Sequence, residues 1–190
     1  MLNLYKKIQQ CTLCQQTLPL SPKPILQISE NSKILIAGQA PGIKAHNAAK
    51  AFTDLSGERL RRWLGVDVHQ FYQPDNFAIL PMGFCYPGKG KSGDSAPLPQ
   101  CAQTWRKPLL ASLKQVGLTI ILGKYAANWH LQSTASISAL AQPWQYLLKH
   151  DQIVLPHPSP RNNAWLQRNP WFEQEVIPNL QDKVKSLLAV

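Results

Sequence analysis

Charged residues are scarce in this chain, and acidic residues are the scarcest. Of 190 residues, 16% are Asp, Glu, Lys or Arg, and 10 acids stand against 20 bases, which gives a formal net charge of +10 at pH 7. Such a basic excess favours a polyanionic partner such as DNA or RNA, because phosphate contacts supply most of the non-specific affinity for nucleic acid. An unspecialised basic surface explains the same charge, so the charge indicates a class of partner but no chemistry.

Long apolar segments are also absent. No run approaches the roughly 18 apolar residues that a membrane-spanning helix needs. The first residues, MLNLYKK, lack the apolar stretch and the small-residue cleavage site of a secretion signal. We therefore expect a cytoplasmic protein with no membrane partner. With 44% hydrophobic residues the chain can build a full core, and its length suits one domain over residues 1–190, which we expect to be a monomer.

Four short apolar segments predict buried β-strands. They span residues 33–38, 76–81, 118–123 and 152–156. Each is rich in aliphatic residues and ends in Gly or Pro, and continuous apolar runs of this length are typical of strands buried on both faces. Helical patterns occupy residues 55–64, 100–116, 125–131 and 172–188, the last broken or bent near Pro178. This alternation predicts an α/β fold, a three-layer α/β/α sandwich around a mainly parallel four-stranded sheet.

Two loops follow strands of this predicted sheet at the end where ligands bind. The first, GQAPG at residues 38–42, is a tight turn that leaves backbone N–H groups and the Gln39 side chain facing a ligand. The second, HPSPRNN at residues 157–163, fixes a histidine between a strand and two prolines. Either loop alone is compatible with an ordinary rigid turn, but the two together at one sheet edge favour a binding site.

The four cysteines allow several interpretations. Cys11 and Cys14 form a C-x2-C pair, and Cys85 and Cys101 come from distant sequence. Disulfides are disfavoured in a cytoplasmic protein. Four thiolates suit either a tetrahedral zinc ion or a 4Fe–4S cluster, which tolerates irregular spacing. The long interval between the last two cysteines is unlike the second C-x2-C of many zinc sites, and four unconnected buried thiols are the remaining alternative.

In these motifs the chain resembles the uracil-DNA glycosylase superfamily. The G-x-A-P-G turn and the H-P-S-P loop look like its two signature motifs, and the order of further elements is similar to the iron–sulfur branch. Those elements are Cys11 with Cys14, residues 38–42, Ala51-Phe52, and Cys85 with Cys101. The resemblance covers roughly residues 5–180. It implies a repair enzyme that hydrolyses the N-glycosidic bond of uracil or another deaminated base flipped out of DNA, and a 4Fe–4S cluster on the four cysteines, with zinc as the alternative.

The resemblance also implies roles for individual residues. Phe52 would stack on the flipped base, and the backbone amides of Gln39 and Ala40 would contact it. His157 would donate to the base oxygen on which negative charge develops. Asp54 would orient water or stabilise the sugar cation, although a cap for the helix that begins at Leu55 explains this residue as well. His46 and Glu58 are further candidates for activating water.

Other positions carry over as contacts to substrate and DNA. We expect base or substrate contacts also from Gly38, Pro41, Gly42 and Asn162. We expect DNA contacts from Ser159, Arg161, Asn163, Lys89 and Lys91. The loop at residues 159–163 would press into the minor groove, with Arg161 on phosphate or in the vacated space. Arg106 and Lys107 would extend the basic segment beside the last two cysteines towards DNA.

The active site departs from the iron–sulfur branch at three places. Gln39 replaces an acidic residue, and the residues after the turn lack further acids. Pro81 stands where those enzymes have an asparagine that reads the uracil edge, and a proline side chain cannot form that hydrogen bond. The loop after His157 is more similar to the single-strand-selective branch. These departures favour an alternative function, a catalytically weak nucleic-acid-binding protein of the same fold. A small electron carrier is a third possibility, but it explains neither loop.

Overall fold

Four parallel strands form the centre of the fold in the computed structural model, which describes residues 1–91 and 93–189. Together with a separate two-stranded sheet, the strands in chain order are β1 (Ile34–Ala37), β2 (Phe77–Ile79), β3 (Lys89–Gly90), β4 (Gly93–Asp94), β5 (Leu118–Leu122) and β6 (Gln152–Leu155). The main sheet has the order β2-β1-β5-β6, and its three neighbouring pairs are all parallel. The four strands predicted from apolar runs are therefore confirmed. The two short strands β3 and β4 form an antiparallel hairpin that the sequence analysis did not predict.

Helices cover both faces of this sheet. They are α1 (Leu2–Gln9), α2 (Ile43–Ala48), α3 (Leu55–Leu64), α4 (Val68–Phe71), α5 (Pro99–Ser112), α6 (Lys124–Leu131), α7 (Ile137–Ala141), α8 (Trp144–Lys149), α9 (Asn163–Arg168) and α10 (Ile177–Leu188). A 3₁₀ turn at Pro160–Asn162 precedes α9, and a π-helix at Phe172–Val176 precedes α10. The break predicted near Pro178 takes the form of this change in helix type, because proline lacks the N–H that a continuous α-helix would use.

Alternate residues of the central strands point to opposite faces of the sheet, as the period of a β-strand requires, and they pack in three hydrophobic clusters. Ile34 and Ile36 of β1 pack in one cluster with α3 and α10, represented by Trp63 and Leu180. Leu35 of β1 packs in another with side chains of α1 and α5, and Ala37 in a third with α6 and α8. The sheet is thus buried on both faces, and the three-layer α/β/α architecture is confirmed.

The connections of β1 place a crevice at its carboxyl end. The chain leaves β1 for β2 on one side of it and later returns to β5 on the other side. In open parallel sheets this reversal of strand order leaves room for a ligand beyond the carboxyl ends of the strands. No helix in the described part of the chain is both long and apolar enough to cross a membrane.

Candidate functional site

A cavity of about 270 Å³, here called the strand-end cavity, opens at the carboxyl ends of the central strands. It is lined by eight residues predicted for the site: Gly38, Gln39, Ala40, Pro41, Gly42, Phe52, Asp54 and His157. Two further residues line it. They are Pro81, which stands in place of a base-reading asparagine, and Asp94 of the β3–β4 hairpin. The fold therefore brings the glycine turn and the histidine loop to one cavity.

Backbone hydrogen bonds hold the glycine turn against the segment that follows β2. The Gly38 carbonyl accepts from the Met82 N–H at 2.9 Å, and the Gln39 carbonyl accepts from the Gly83 N–H at 3.0 Å. The Gln39 side chain turns towards the hairpin, where its Nε2 donates to the Ser95 carbonyl at 2.8 Å. Gln39 thus lines the cavity and also ties the hairpin to the turn, a contact that the sequence analysis did not anticipate.

Phe52 is held in a left-handed backbone conformation with φ of 56°. Its carbonyl accepts from Tyr72 Oη at 3.0 Å and from Arg61 Nη1 at 3.1 Å. Gly57 lies directly against that carbonyl, and any Cβ there would collide with it. The ring of Phe52 meets Phe71 edge to face, with ring centroids 6.0 Å apart. Phe52 is therefore a strained residue whose position at the cavity wall is fixed from several sides.

His157 is partly buried and follows the end of β6 by two residues. Burial lowers its pKa below the ordinary value of 6.5, and the positive charge of Arg161 acts in the same direction. The carboxylates of Asp54 and Asp94 act in the opposite direction, so both charges reach the imidazole. A histidine with a lowered pKa is neutral at pH 7, and its ring then carries one N–H that can donate to a ligand.

Two carboxylates line the cavity in different ways. Asp54 is the N-cap of α3, where its Oδ1 accepts from the Gly57 N–H at 3.3 Å. The capping role that was one interpretation of Asp54 is present together with its place at the cavity. Asp94 was missed from the sequence, although it is the one acid in the glycine-rich segment GKGKSGD (residues 88–94), whose composition is typical of a turn. The other candidates do not line the cavity: His46 is buried in α2, and Glu58 lies in the first turn of α3.

The histidine loop forms a short 3₁₀ turn after His157. Ser159 caps it by accepting from the Arg161 N–H at 3.1 Å. The Asn162 amide donates to the His157 carbonyl at 2.6 Å, so Asn162 supports the histidine and is not among the residues that line the cavity. Arg161 and Asn163 are exposed, and the Arg161 guanidinium lies against Gly93 of the hairpin.

The basic residues near the last two cysteines divide into exposed and buried. Lys89, Lys91 and Lys107 are exposed. Arg106 is 1% exposed, so its predicted place on a DNA-facing segment is wrong. It lies on the inner face of α5 with Ala102, because residues four apart share one side of a helix. Its Nη1 donates to the Leu80 carbonyl at 2.7 Å, and its Nη2 lies 2.6 Å from His130 Nε2.

The four cysteines line one small apolar cavity, here called the cysteine cavity, of about 30 Å³. Cys11 and Cys14 follow α1, Cys85 follows β2, and Cys101 lies in the first turn of α5. None of the four forms a disulfide. Within residues 1–91 and 93–189, no group of three or more His, Cys, Asp or Glu side chains is arranged to hold a metal ion. The thiols thus surround a shared space without forming a ligand group for one ion.

Hydrogen-bond donors and burial act in opposite directions on the charge of these thiols. N–H groups donate to two of them: the Phe84 backbone to Cys101 Sγ and Trp105 Nε1 to Cys11 Sγ, both at 3.4 Å. Burial raises the pKa of Cys85 to about 11 and that of Cys101 to about 12. Without a cation these thiols are therefore neutral at pH 7, and a bound metal would be needed to deprotonate them. Four partly buried cysteines, two of which accept N–H hydrogen bonds, fit an iron–sulfur cluster.

Comparison with known proteins agrees with this fold. A family model described as the uracil DNA glycosylase superfamily matches residues 26–181. Cys11 and Cys14 precede the matched span, so the match does not test the iron–sulfur branch, which stays a prediction. A solution NMR structure from Methanosarcina acetivorans, described as a "putative Uracil DNA glycosylase", is similar with a TM-score of 0.50 at 13% identity. The similarity covers 84% of this chain and 98% of that chain, and at this identity it concerns the fold alone.

Proposed function

Because the chain belongs to the uracil DNA glycosylase superfamily, we propose that it is a DNA repair enzyme that hydrolyses the N-glycosidic bond of uracil or another deaminated base. The observation that carries this proposal is the shared cavity of the glycine turn, Phe52 and His157. An enzyme that acts on a base in DNA must take that base out of the stack and hold it in a pocket. The strand-end cavity is the pocket that we assign to the flipped base.

Phe52 and the glycine turn would hold this base. The aromatic ring offers a face for stacking, and stacking of a base on an aromatic side chain is worth about 1–3 kcal/mol. The backbone N–H groups of Gln39 and Ala40 are in the turn that lines the same cavity. Gly38, Pro41 and Gly42 complete that turn, and we assign them to substrate binding through the backbone. Asn162 supports this site indirectly by its bond to the His157 carbonyl.

His157 would stabilise the departing base. When the N-glycosidic bond breaks, its electrons leave with the base, and an N–H donor placed at the base oxygen stabilises the resulting anion. A neutral histidine supplies that donor at pH 7, in agreement with the direction of its pKa shift. The Asp54 carboxylate, fixed at the N-terminus of α3, would stabilise the positive charge that develops on the sugar.

The exposed basic and polar groups around the cavity would hold the DNA. Ser159, Arg161 and Asn163 lie on the histidine loop, while Lys89 and Lys91 lie on or next to the β3 strand. Arg161 packs against the hairpin, so both elements present their positive charge to the same neighbourhood. Contacts of this kind to phosphate position a duplex without reading its sequence.

We further propose that Cys11, Cys14, Cys85 and Cys101 hold a 4Fe–4S cluster. Zinc is the alternative, because four cysteines also suit a tetrahedral zinc ion. A cluster held here would cross-link α1, α5 and the segment after β2. Its role would be structural. It would fix the segment after β2, and Pro81 at the start of that segment lines the strand-end cavity.

The test is a panel of oligonucleotides that contain uracil, hypoxanthine or xanthine, in single and double strands. After incubation, alkali cleaves the strand at each abasic site that the protein has made. We expect scission at one or more of these lesions, and His157→Ala should slow it by about 10²–10³-fold while changing DNA affinity much less. The exposed His150 provides the matched control, His150→Ala, which should keep full activity.

The same panel tests the alternative function, a catalytically weak nucleic-acid-binding protein. Pro81 at the cavity wall and the engagement of the Gln39 amide by the hairpin favour it, because neither side chain is then available to read a base. DNA binding with no scission at any lesion would replace the glycosylase proposal by this alternative. Equal losses of activity and DNA affinity in His157→Ala would contradict the role of His157 in stabilising the leaving base.

A further inference from the structure

We propose that Asp94 is the carboxylate that activates the attacking water, presented to the cavity by the β3–β4 hairpin. This inference rests on the proposed glycosylase function. It adds a catalytic residue from a segment that contains neither of the two signature loops. The placement of the hairpin, the contacts of Asp94 and the chemistry of the reaction each contribute to it.

The Asp94 carboxylate lies directly beside the glycine turn. Its Oδ2 is 3.1 Å from the position that a Cβ on Gly42 would occupy. Asp94 and His157 line the same cavity, and the negative charge of Asp94 is felt at the imidazole. The carboxylate is therefore close to both the turn that would hold the base and the group that would stabilise its departure.

Contacts at both ends of the hairpin hold Asp94 in this position. Gln39 Nε2 donates to the Ser95 carbonyl at 2.8 Å and lies 3.4 Å from the Asp94 carbonyl. The Ser95 N–H donates to the Gly88 carbonyl at 2.8 Å, which closes the base of the hairpin. On the other side Arg161 packs against Gly93. The hairpin is thus attached to the glycine turn and to the histidine loop at once.

Asp54, the other carboxylate of the cavity, is already engaged. It accepts the Gly57 N–H at the start of α3, so this carboxylate is held by the helix cap. The Asp94 side chain has no hydrogen-bond partner within residues 1–91 and 93–189, and it is exposed to solvent. It can therefore accept a hydrogen bond from a water molecule in the cavity.

The reaction requires an acceptor for one proton. The bond between C1′ and the base breaks with both electrons moving to the base, which leaves an oxocarbenium-like sugar and an anion that His157 stabilises. Water forms the new C–O bond at C1′ and gives its proton to the Asp94 carboxylate. Asp94 then releases that proton to solvent, and the base anion takes up one proton. The sum is the addition of one water molecule across the glycosidic bond.

The first experiment measures single-turnover cleavage of the best lesion from the panel. We expect Asp94→Asn to slow cleavage by about 10²-fold, in the range of general base catalysis. Asp54→Asn should slow it less, because asparagine preserves the cap and the variant loses only the charge near the sugar, while Asp94 still accepts the proton from water. Asp182→Asn on α10 is the matched control and should leave the rate unchanged. Added formate should restore part of the rate of Asp94→Ala, which a loss of folding or of hairpin structure would not allow.

A second experiment separates this inference from the proposed function. It compares binding of a duplex with a pyrrolidine abasic analogue, whose ring nitrogen is protonated, and of one with the neutral tetrahydrofuran analogue. We expect wild type to prefer the cationic ring and Asp94→Asn to lose about tenfold of that preference. If Asp94→Asn reduces this preference but no lesion is cleaved, the glycosylase function is refuted and the placement of Asp94 is supported. Cleavage by Asp94→Asn within threefold of wild type, or an unchanged preference, would overturn the inference.

Discussion

The strand-end cavity and the cysteine cavity are adjacent but built in opposite ways. The segment after β2 serves both: Pro81 lines the first, and Gly83 and Cys85 line the second. The strand-end cavity is formed by backbone turns and by both polar and apolar side chains, and its volume of about 270 Å³ can accept a nucleobase. The cysteine cavity is apolar, at about 30 Å³, and is surrounded by thiols.

The difference shows which of the two sites keeps its shape through the protein's own groups alone. In the strand-end cavity the Gly38 and Gln39 carbonyls are satisfied by the Met82 and Gly83 N–H groups, so the protein alone maintains its shape. In the cysteine cavity four thiols are gathered where burial raises the pKa of Cys101 to about 12. Only a bound cation would stabilise thiolates there.

Arg106 connects the two sites beneath the surface. It extends from α5, which carries Cys101, to the Leu80 and Pro81 carbonyls at 2.7 and 3.3 Å. Burial lowers its pKa to about 10, a value at which it still carries its charge at pH 7. This buried guanidinium therefore links the position of α5, which carries Cys101, to that of Pro81 at the strand-end cavity.

The largest effect is expected from a substitution in the cysteine cavity. Cys85→Ser should remove most of the bound metal and cost several kcal/mol of stability, because metal binding at a buried thiolate site contributes directly to folding. Iron, zinc and acid-labile sulfide per chain, together with the visible absorbance band, measure the first effect, and thermal unfolding measures the second. A wild type that contains zinc and no iron would rule out the cluster, and a metal-free wild type would rule out both.

Gly57→Ala should disrupt the strand-end cavity and leave the cysteine cavity intact. A Cβ at residue 57 would collide with the Phe52 carbonyl, so we expect a loss of about 2–4 kcal/mol in the free energy of unfolding. Gly38→Ala is the matched control, because a Cβ there meets nothing within 4 Å. Its effect should stay within about 0.5 kcal/mol. A tolerated Gly57→Ala would contradict the rigid placement of Phe52.

His130→Gln tests the buried link between the two sites through pH. Burial and the charge of Arg106 lower the pKa of His130 to about 3, against an ordinary value of 6.5. Between pH 6.5 and 3 the unfolded chain therefore binds a proton that the folded chain does not bind. Stability is complete above pH 6.5 and falls as the pH decreases, by about 1.4 kcal/mol per pH unit for one proton.

Glutamine keeps an acceptor for Arg106 and removes this titration. Denaturant unfolding at pH 7 and pH 5 should therefore give a pH slope for His130→Gln that is smaller by up to about one proton. At pH 8, where the histidine is neutral in both states, the same measurement provides the control for any direct effect of the substitution. Identical slopes for wild type and variant would show that His130 titrates normally in the folded protein.

Arg161→Ala should have the smallest effect, and this effect should be on DNA binding at the protein surface. If Arg161 contacts phosphate, its removal weakens duplex binding modestly and reduces the slope of log affinity against log salt by about 1. Binding titrations at several salt concentrations measure this slope, with Lys185→Ala on α10 as the control. An unchanged slope would argue that Arg161 only packs the hairpin.

Local patterns predicted the scaffold well. The four apolar runs became the four parallel strands, because a strand buried on both faces needs continuous aliphatic residues. Helix α3 spans Leu55–Leu64, as its periodicity indicated, and Asp54 caps it. The glycine turn and His157 line one cavity, as expected from their places after two strands of a parallel sheet.

Residues placed by long-range contacts were the ones that sequence reasoning missed. Strands β3 and β4 have two residues each, too short for any periodicity, so Asp94 gave no signal beyond a glycine-rich turn. Arg106 was assigned to the surface because it is close in sequence to the basic segment beside the last two cysteines. The helical spacing of Ala102, Arg106 and Leu109 would have indicated its buried position.

The order of residue types along this chain determined its strands, its turns and its basic charge, since each depends on neighbours within a few residues. The tertiary structure alone decided that Gln39 holds the hairpin, that Asp94 and His157 share a cavity, and that four distant cysteines surround one space. The physical reason is that these contacts arise from the strand order and from packing across the sheet. Each joins residues that are far apart in the chain, and no local pattern encodes such distances.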